Sequence, residues 1–283
     1  MSEFVDAQAR EQYLVAYEAM LRGWPEYERL EVTGRYGRTV ALATGSPDAP
    51  VLVLLHGRYT PSATWAPIIT ELANRYRICA IDTICEPGLS SNDGAPLRKR
   101  SHYTIWLRET LDALGIEAAH LCGHSFGGWL AARFATEHPG RVSSLTLLDP
   151  AQVFAPFTAT WLLRCIPPFL APTTRNISSL FRWLGKERPA QRDLVDLATK
   201  GMLTFRLRAP EATRLSAPEL RRLSMPTQQL IAEQTVVHNP ARALRTAERL
   251  NPIVKSTLVP DCSHFIVNDQ PSQVLNALDA LIE

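Results

Sequence analysis

The chain has 283 residues, 46% of them hydrophobic and 20% charged. That balance excludes a disordered, collagen-like or fibrous chain, and the length suits one large α/β domain or one domain carrying an insertion. Thirty Lys and Arg against 28 Asp and Glu leave a net charge of +2, which argues against nucleic acid as the main partner.

Residues 4–22 read as a helix, with Tyr13, Tyr17, Met20, Leu21 and Trp24 on one face and Gly23 and Pro25 as its stop. The runs 29–33 and 38–44 flank the glycine-bearing turn Gly34-Arg35-Tyr36-Gly37 and predict an antiparallel hairpin. From residue 51 the pattern changes. Val51-Leu52-Val53-Leu54-Leu55 is a continuous apolar run, as expected of a strand buried on both faces, and 77–81, 119–122 and 143–148 repeat it. Helical segments at 62–75, 101–114 and 126–138 separate these strands, so a parallel sheet with right-handed crossovers is expected. The alternation stops after Asp149. Residues 151–223 carry many prolines and helix-like pieces and no clear strand, then 228–232, 240–250, 256–259 and 271–283 restore strand, helix, strand and helix. The expected organisation is core 1–150, helical cap 151–223 and core 224–283.

The five cysteines, Cys79, Cys85, Cys122, Cys165 and Cys262, are odd in number and lack CxxC spacing. They read as free thiols of a reducing compartment, and a cytoplasmic location is expected. The amino terminus lacks a basic start followed by an apolar run, so it does not read as a secretory signal. The most apolar later stretch, 155–172, is interrupted by Arg164 and several prolines, so no membrane span is expected.

The sharpest signal is Gly123-His124-Ser125-Phe126-Gly127, placed where a buried strand turns into a helix. A serine on so tight a turn needs glycine neighbours, because side chains there collide with adjacent elements. Directly after the first core strand, His56-Gly57-Arg58-Tyr59 stands where a second oxyanion donor is needed. The backbone N–H groups of Phe126 and Arg58 are the candidates. His264 lies between the last strand and the last helix, after the serine in chain order, and is the candidate general base. His124 and Cys122 read as packing residues.

These residues, in this order, resemble the α/β-hydrolase superfamily with a helical cap, over nearly the whole chain. Gly123–Gly128 corresponds to the nucleophile elbow, His56-Gly57 to the oxyanion loop and Asp261–Phe265 to the histidine loop. The stretch 82–91 looks like the loop after the next strand in esterase-like members, with Cys85 where many have glycine. The resemblance implies a Ser–His–acid relay with no cofactor and no metal. It also disfavours a dehalogenase, which carries a carboxylate where this chain has Ser125.

The acid departs from the pattern, because Thr235 stands at the usual position after the strand 228–232. Two carboxylates could replace it. Asp149 ends the preceding strand and keeps the order serine, acid, histidine, whereas Glu233 lies in the usual loop two residues early. Asp149 is the preferred acid and Glu233 the alternative. Tyr59, Trp65 and Trp129 are candidates for contacts with substrate. The cap holds twelve Lys and Arg against five Asp and Glu, an excess of +7. That excess reads as a solvated face, or as attraction for an anionic or carrier-bound substrate.

The expected function is a serine hydrolase that cleaves an ester, thioester or related carbonyl compound through an acyl-enzyme on Ser125. The alternatives are a non-hydrolytic cyclase or lyase on this fold, or a small-molecule receptor.

Overall fold

The computed structural model describes residues 2–282. In chain order the elements are β1 (Glu3–Phe4), α1 (Ala7–Leu21), β2 (Glu28–Gly34), β3 (Gly37–Thr44), β4 (Val51–Leu55), α2 (Ala66–Ala73), β5 (Arg77–Ile81), α3 (Arg100–Ala113), β6 (Ala119–His124), α4 (Phe126–Glu137) and β7 (Val142–Leu148). Then come α5 (Ala159–Leu170), α6 (Thr174–Leu184), α7 (Arg192–Thr204), β8 (Phe205–Arg206), α8 (Ala217–Leu220), β9 (Thr227–Ala232), α9 (Pro240–Leu250), β10 (Val254–Val259), α10 (Ile266–Asp269) and α11 (Pro271–Ile282).

Eight strands form one sheet in the order β10-β9-β7-β6-β4-β5-β3-β2. The pairs from β10 to β5 are parallel, whereas β3 runs antiparallel to both β5 and β2. This is the α/β-hydrolase architecture that the sequence predicts. Its cause is the near-total burial of strands such as β4, where Leu52 to Leu55 are each 0% exposed because helices cover both faces. One face packs under α3, α4 and α9 around Trp106, Trp129 and Phe134. The other packs under α1, α2 and α11 around Tyr13, Trp65 and Leu72. β9 carries two buried glutamines. Gln228 donates to Thr146 Oγ1 at 3.0 Å and Gln229 to Ser256 Oγ at 2.9 Å, so both amide nitrogens are partnered, whereas Gln229 Oε1 is buried without a donor among the described residues.

Three expected elements are refined. The amino-terminal helix starts at Ala7, where Asp6 caps it by accepting from Ala9 N at 2.7 Å, and residues 3–4 are extended. The segment 62–75 divides into a 3₁₀ turn at Ser62–Trp65 and α2. The middle block, expected to lack strands, contains β8, which pairs antiparallel with β1 through Phe4 and Phe205. Two residues leave too short an alternation to be read from sequence. Between β7 and β9 the chain leaves the sheet to form the helical insertion α5–α7.

Because the core strands run parallel, their carboxyl ends share one edge. The loops after β4, β5, β6, β7, β9 and β10 therefore converge there.

Candidate active site

Ser125 sits between β6 and α4 with φ +52° and ψ −112°, a conformation that non-glycine residues rarely adopt. Two neighbouring glycines permit it. A Cβ on Gly123 would lie 2.3 Å from Gly127 O, and a Cβ on Gly127 would lie 2.0 Å from Leu55 O. The local chain thus needs close backbone crossings that only glycine supplies. The turn presents Ser125 Oγ 2.9 Å from His264 Nε2.

His264 enters from the loop after β10 and is 4% exposed. Its Nδ1 lies 2.6 Å from Asp149 Oδ2. A carboxylate only accepts, so Nδ1 carries the proton and Nε2 is free to accept from the serine hydroxyl. The loop is pinned from two sides. Ser263 N donates to Asp269 Oδ2 at 2.7 Å, and Gln191, at the entry to α7, donates to Ser263 Oγ at 3.1 Å. His124 donates Nε2–H to the His264 carbonyl at 2.8 Å. Burial, reinforced by the neighbouring His264, pushes the pKa of His124 down to about 3, so it stays a neutral donor.

Asp149 follows β7 with φ +42° and is completely buried. Its carboxylate meets four groups. Oδ2 accepts from His264 and from Thr235 Oγ1, both at 2.6 Å, while Oδ1 accepts from Ala232 N at 3.2 Å. The fourth is His238, whose Nε2 lies 3.2 Å from Oδ1, a close ionic approach that is not a directed hydrogen bond. Burial alone would raise the Asp149 pKa. His238 and His264 outweigh it and hold the group well below the usual carboxylate range. His238 responds in kind: burial lowers its pKa, the Asp149 carboxylate raises it, and the net direction is up. Glu233 is placed elsewhere; it is exposed and accepts from Asp261 N at 3.1 Å.

The loop after β4, which carries Arg58, is held by side chains. His56 Nε2 accepts from Thr83 N at 2.9 Å, which leaves Nδ1 to donate to Gly57 O at 2.8 Å. Arg58 forms an ion pair with Glu86, whose side chain is wholly buried, and Glu86 also accepts from Tyr59 N at 2.9 Å. Tyr59 has φ +60°, a turn that fixes the direction of the loop. The Arg58 guanidinium lies 3.9 Å from the centre of the Phe126 ring and reaches Glu211, between β8 and α8, at 3.1 Å. Phe126 is the first residue of α4, so its N–H has no intrahelical acceptor and faces the anion-favouring end of the helix.

The expected contact residues separate. Tyr59 packs with Phe157, Trp161 and Phe265 beneath the cap. Trp65 is 1% exposed and borders a small cavity beside His124 and Phe265. Trp129 is 0% exposed, stacks on Phe126 and donates to Thr213 O at 2.9 Å, so it backs Phe126 from within the core. Sequence reasoning missed His238 and Glu86. A lone histidine and a lone glutamate in loops carry no local signature, and only their shared position at the sheet edge marks them.

The profile of the alpha/beta hydrolase family matches residues 52–278, and the chain belongs to that family. It is similar to the uncharacterized carboxylesterase nap of Bacillus subtilis (strain 168), with 28% identity over 271 residues that cover 93% of this chain and 89% of the relative. Carboxylesterase YbfK of the same organism is 35% identical over 156 residues, or 55% of this chain and 52% of that one. The crystal structure of naproxen esterase (carboxylesterase NP) from Bacillus subtilis superimposes with a TM-score of 0.91 at 26% identity, covering 98% and 99% of the two chains. The chain is thus a carboxylesterase-like α/β-hydrolase enzyme.

Proposed function

We propose that the protein hydrolyses carboxylic esters, or related activated acyl compounds such as thioesters, through an acyl-enzyme on Ser125. The observation that carries this reading is the unbroken line from Ser125 Oγ through His264 to Asp149, with contacts of 2.9 and 2.6 Å. His264 takes the hydroxyl proton as Oγ attacks the carbonyl carbon. The oxyanion that forms is held by the N–H groups of Arg58 and Phe126, each such donor being worth about 3 kcal/mol in the transition state. Collapse expels the alcohol or thiol, which receives the proton from His264. Water then repeats the sequence on the acyl-enzyme and frees the acid.

Asp149 supports hydrolysis over a non-hydrolytic reaction. Thr235 at the usual acid position is the feature that favours a cyclase or lyase, and a buried carboxylate on His264 Nδ1 removes that reason. The relatives named carboxylesterases favour esters as the substrate class.

The test is labelling with a fluorophosphonate probe, read by intact mass and peptide mapping, beside hydrolysis of p-nitrophenyl esters of graded chain length. Labelling at Ser125 that disappears in Ser125→Ala, together with Ser125-dependent ester turnover, is expected. A folded wild-type protein that neither labels nor turns over any ester would sink the mechanism.

A further inference from the structure

Helix α5 departs from the burial pattern of the rest of the molecule. All of its twelve residues except Thr160 and Arg164 are apolar, yet Pro168 alone is fully buried. A helix that is apolar on every side is ordinarily enclosed. Here Leu162, Leu163, Ile166, Phe169 and Leu170 are 54, 65, 46, 64 and 82% exposed. Among the described residues nine large hydrophobic side chains are exposed, and these five are the only ones that follow one another at helical spacing. A contiguous apolar stripe of this kind marks an interaction surface, unlike apolar residues scattered singly.

The charge around the stripe is predominantly cationic, with Glu187 and Glu211 the acidic groups at its margin. From residue 150 to residue 186 there is no Asp or Glu, while Arg164, Arg175, Arg182 and Lys186 supply four exposed cations. Two tryptophans border the stripe. Trp161 of α5 lies parallel to Trp183 of α6 with ring centres 6.4 Å apart, and the Arg164 guanidinium sits 5.3 Å from the Trp183 ring. Both indoles are half-buried. Apolar face, cationic flank and bordering tryptophan are the three components of a helix that rests in the headgroup region of a bilayer. Twelve residues reach about 18 Å, well short of the roughly 30 Å hydrocarbon core, so α5 can lie in the interface and cannot cross it.

We propose that α5 and α6 dock the protein on an anionic lipid surface, with the stripe from Leu162 to Leu170 entering the headgroup boundary and the cations Arg164, Arg175, Arg182 and Lys186 facing acidic headgroups. Charge complementarity selects this occupant. A second copy of the chain would set two groups of four cations against each other. An acidic soluble protein would answer the cations, but would have to bring a matching apolar face of its own. A bilayer answers both features with one surface.

The experiment is flotation of the purified full chain with vesicles of phosphatidylcholine alone, or of phosphatidylcholine containing one third phosphatidylglycerol. The protein is expected to float with the anionic vesicles, to float about tenfold less with the neutral ones, and to be released by high salt. The double variant Leu163→Glu/Phe169→Glu is expected to lose vesicle binding about tenfold or more while keeping the wild-type thermal melt. Ile253→Glu, at an exposed apolar residue outside the cap, is expected to bind like wild type. No binding to either vesicle, equal binding to both, or full binding by the double variant overturns the proposal. So does a dimer in light scattering that the double variant abolishes. Flotation requires no turnover, so its failure is distinct from failure of the esterase reading.

Discussion

Thr235 donates its hydroxyl to Asp149 Oδ2 at 2.6 Å, across the ends of two adjacent strands. β7 and β9 are paired in parallel, with Leu148 opposite Leu230, so residues that follow either strand reach the same space beside His264. The carboxylate follows β7, and the end of β9 and the loop after it supply donors to it from Ala232 N and Thr235 Oγ1. Four groups converge on one buried carboxylate and hold it ionised.

Asp149→Asn is expected to lower kcat about ten-thousand-fold, the order of loss when the acid of a serine protease triad becomes an amide. Asparagine tolerates the positive φ at this position, so the fold is retained. Glu233→Gln is expected to leave kcat/KM at the wild-type level. A large loss in Glu233→Gln with none in Asp149→Asn would reassign the acid.

The shared space makes relocation of the acid testable. Thr235→Asp in the Asp149→Asn background is expected to recover part of the lost activity, because a carboxylate would again face His264. Thr235→Asp alone is expected to be slower than wild type, since two carboxylates in contact cannot both ionise cheaply. Steady-state ester hydrolysis by the four proteins decides it. A double variant no faster than Asp149→Asn would show that the β9 loop cannot present an acid.

His238 predicts a pH-dependent stability. Its pKa is raised in the folded protein, so its contribution is fully present below the unfolded value of about 6.5 and is lost as pH rises through the folded value. His238→Gln is therefore expected to be destabilised most at mildly acidic pH, with the gap to wild type closing towards alkaline pH. Thermal melts of both proteins from pH 5 to pH 9 check the sign. A gap that widens with pH would contradict it.

Arg58 and Glu86 tie the loop after β4 to the loop after β5. With the Glu86 side chain wholly buried and that of Arg58 16% exposed, removing Glu86 leaves Arg58 with only the exposed Glu211 as counter-ion among the described residues, and removing Arg58 leaves the buried Glu86 with only the Tyr59 N–H. Glu86→Ala is expected to cost about 3 kcal/mol in stability and to lower kcat, because Tyr59 N loses its acceptor as well. Urea unfolding and ester turnover give the two readings. Arg58→Ala is expected to retain more activity than Glu86→Ala, since the Arg58 backbone N–H and the Glu86 contact to Tyr59 both remain.

Gly127→Ala is expected to abolish folding at the elbow, since its methyl would sit 2.0 Å from the Leu55 carbonyl, which belongs to a strand that cannot move aside. The loss should exceed about 3 kcal/mol. A soluble variant with a wild-type melt would contradict the packing.

Much of this molecule is legible along the chain because its causes are local. Five apolar residues in a row at 51–55 mean burial on two faces, and the order of strands and helices then implies the parallel sheet. The turn at Ser125 is equally local, since its glycines and its serine lie within five residues. The sequence alone left the acid open between Asp149 and Glu233. Distance along the chain says nothing about which strand end stands next to His264, and the pairing of β7 with β9 brings Thr235 and His238 onto Asp149. Helix α5 shows the same division from the other side. Its composition points to the interior, and only tertiary packing decides that five of its apolar side chains face outward. Secondary structure follows from neighbours a few residues apart, whereas burial and partnership depend on elements that meet only after the chain has folded.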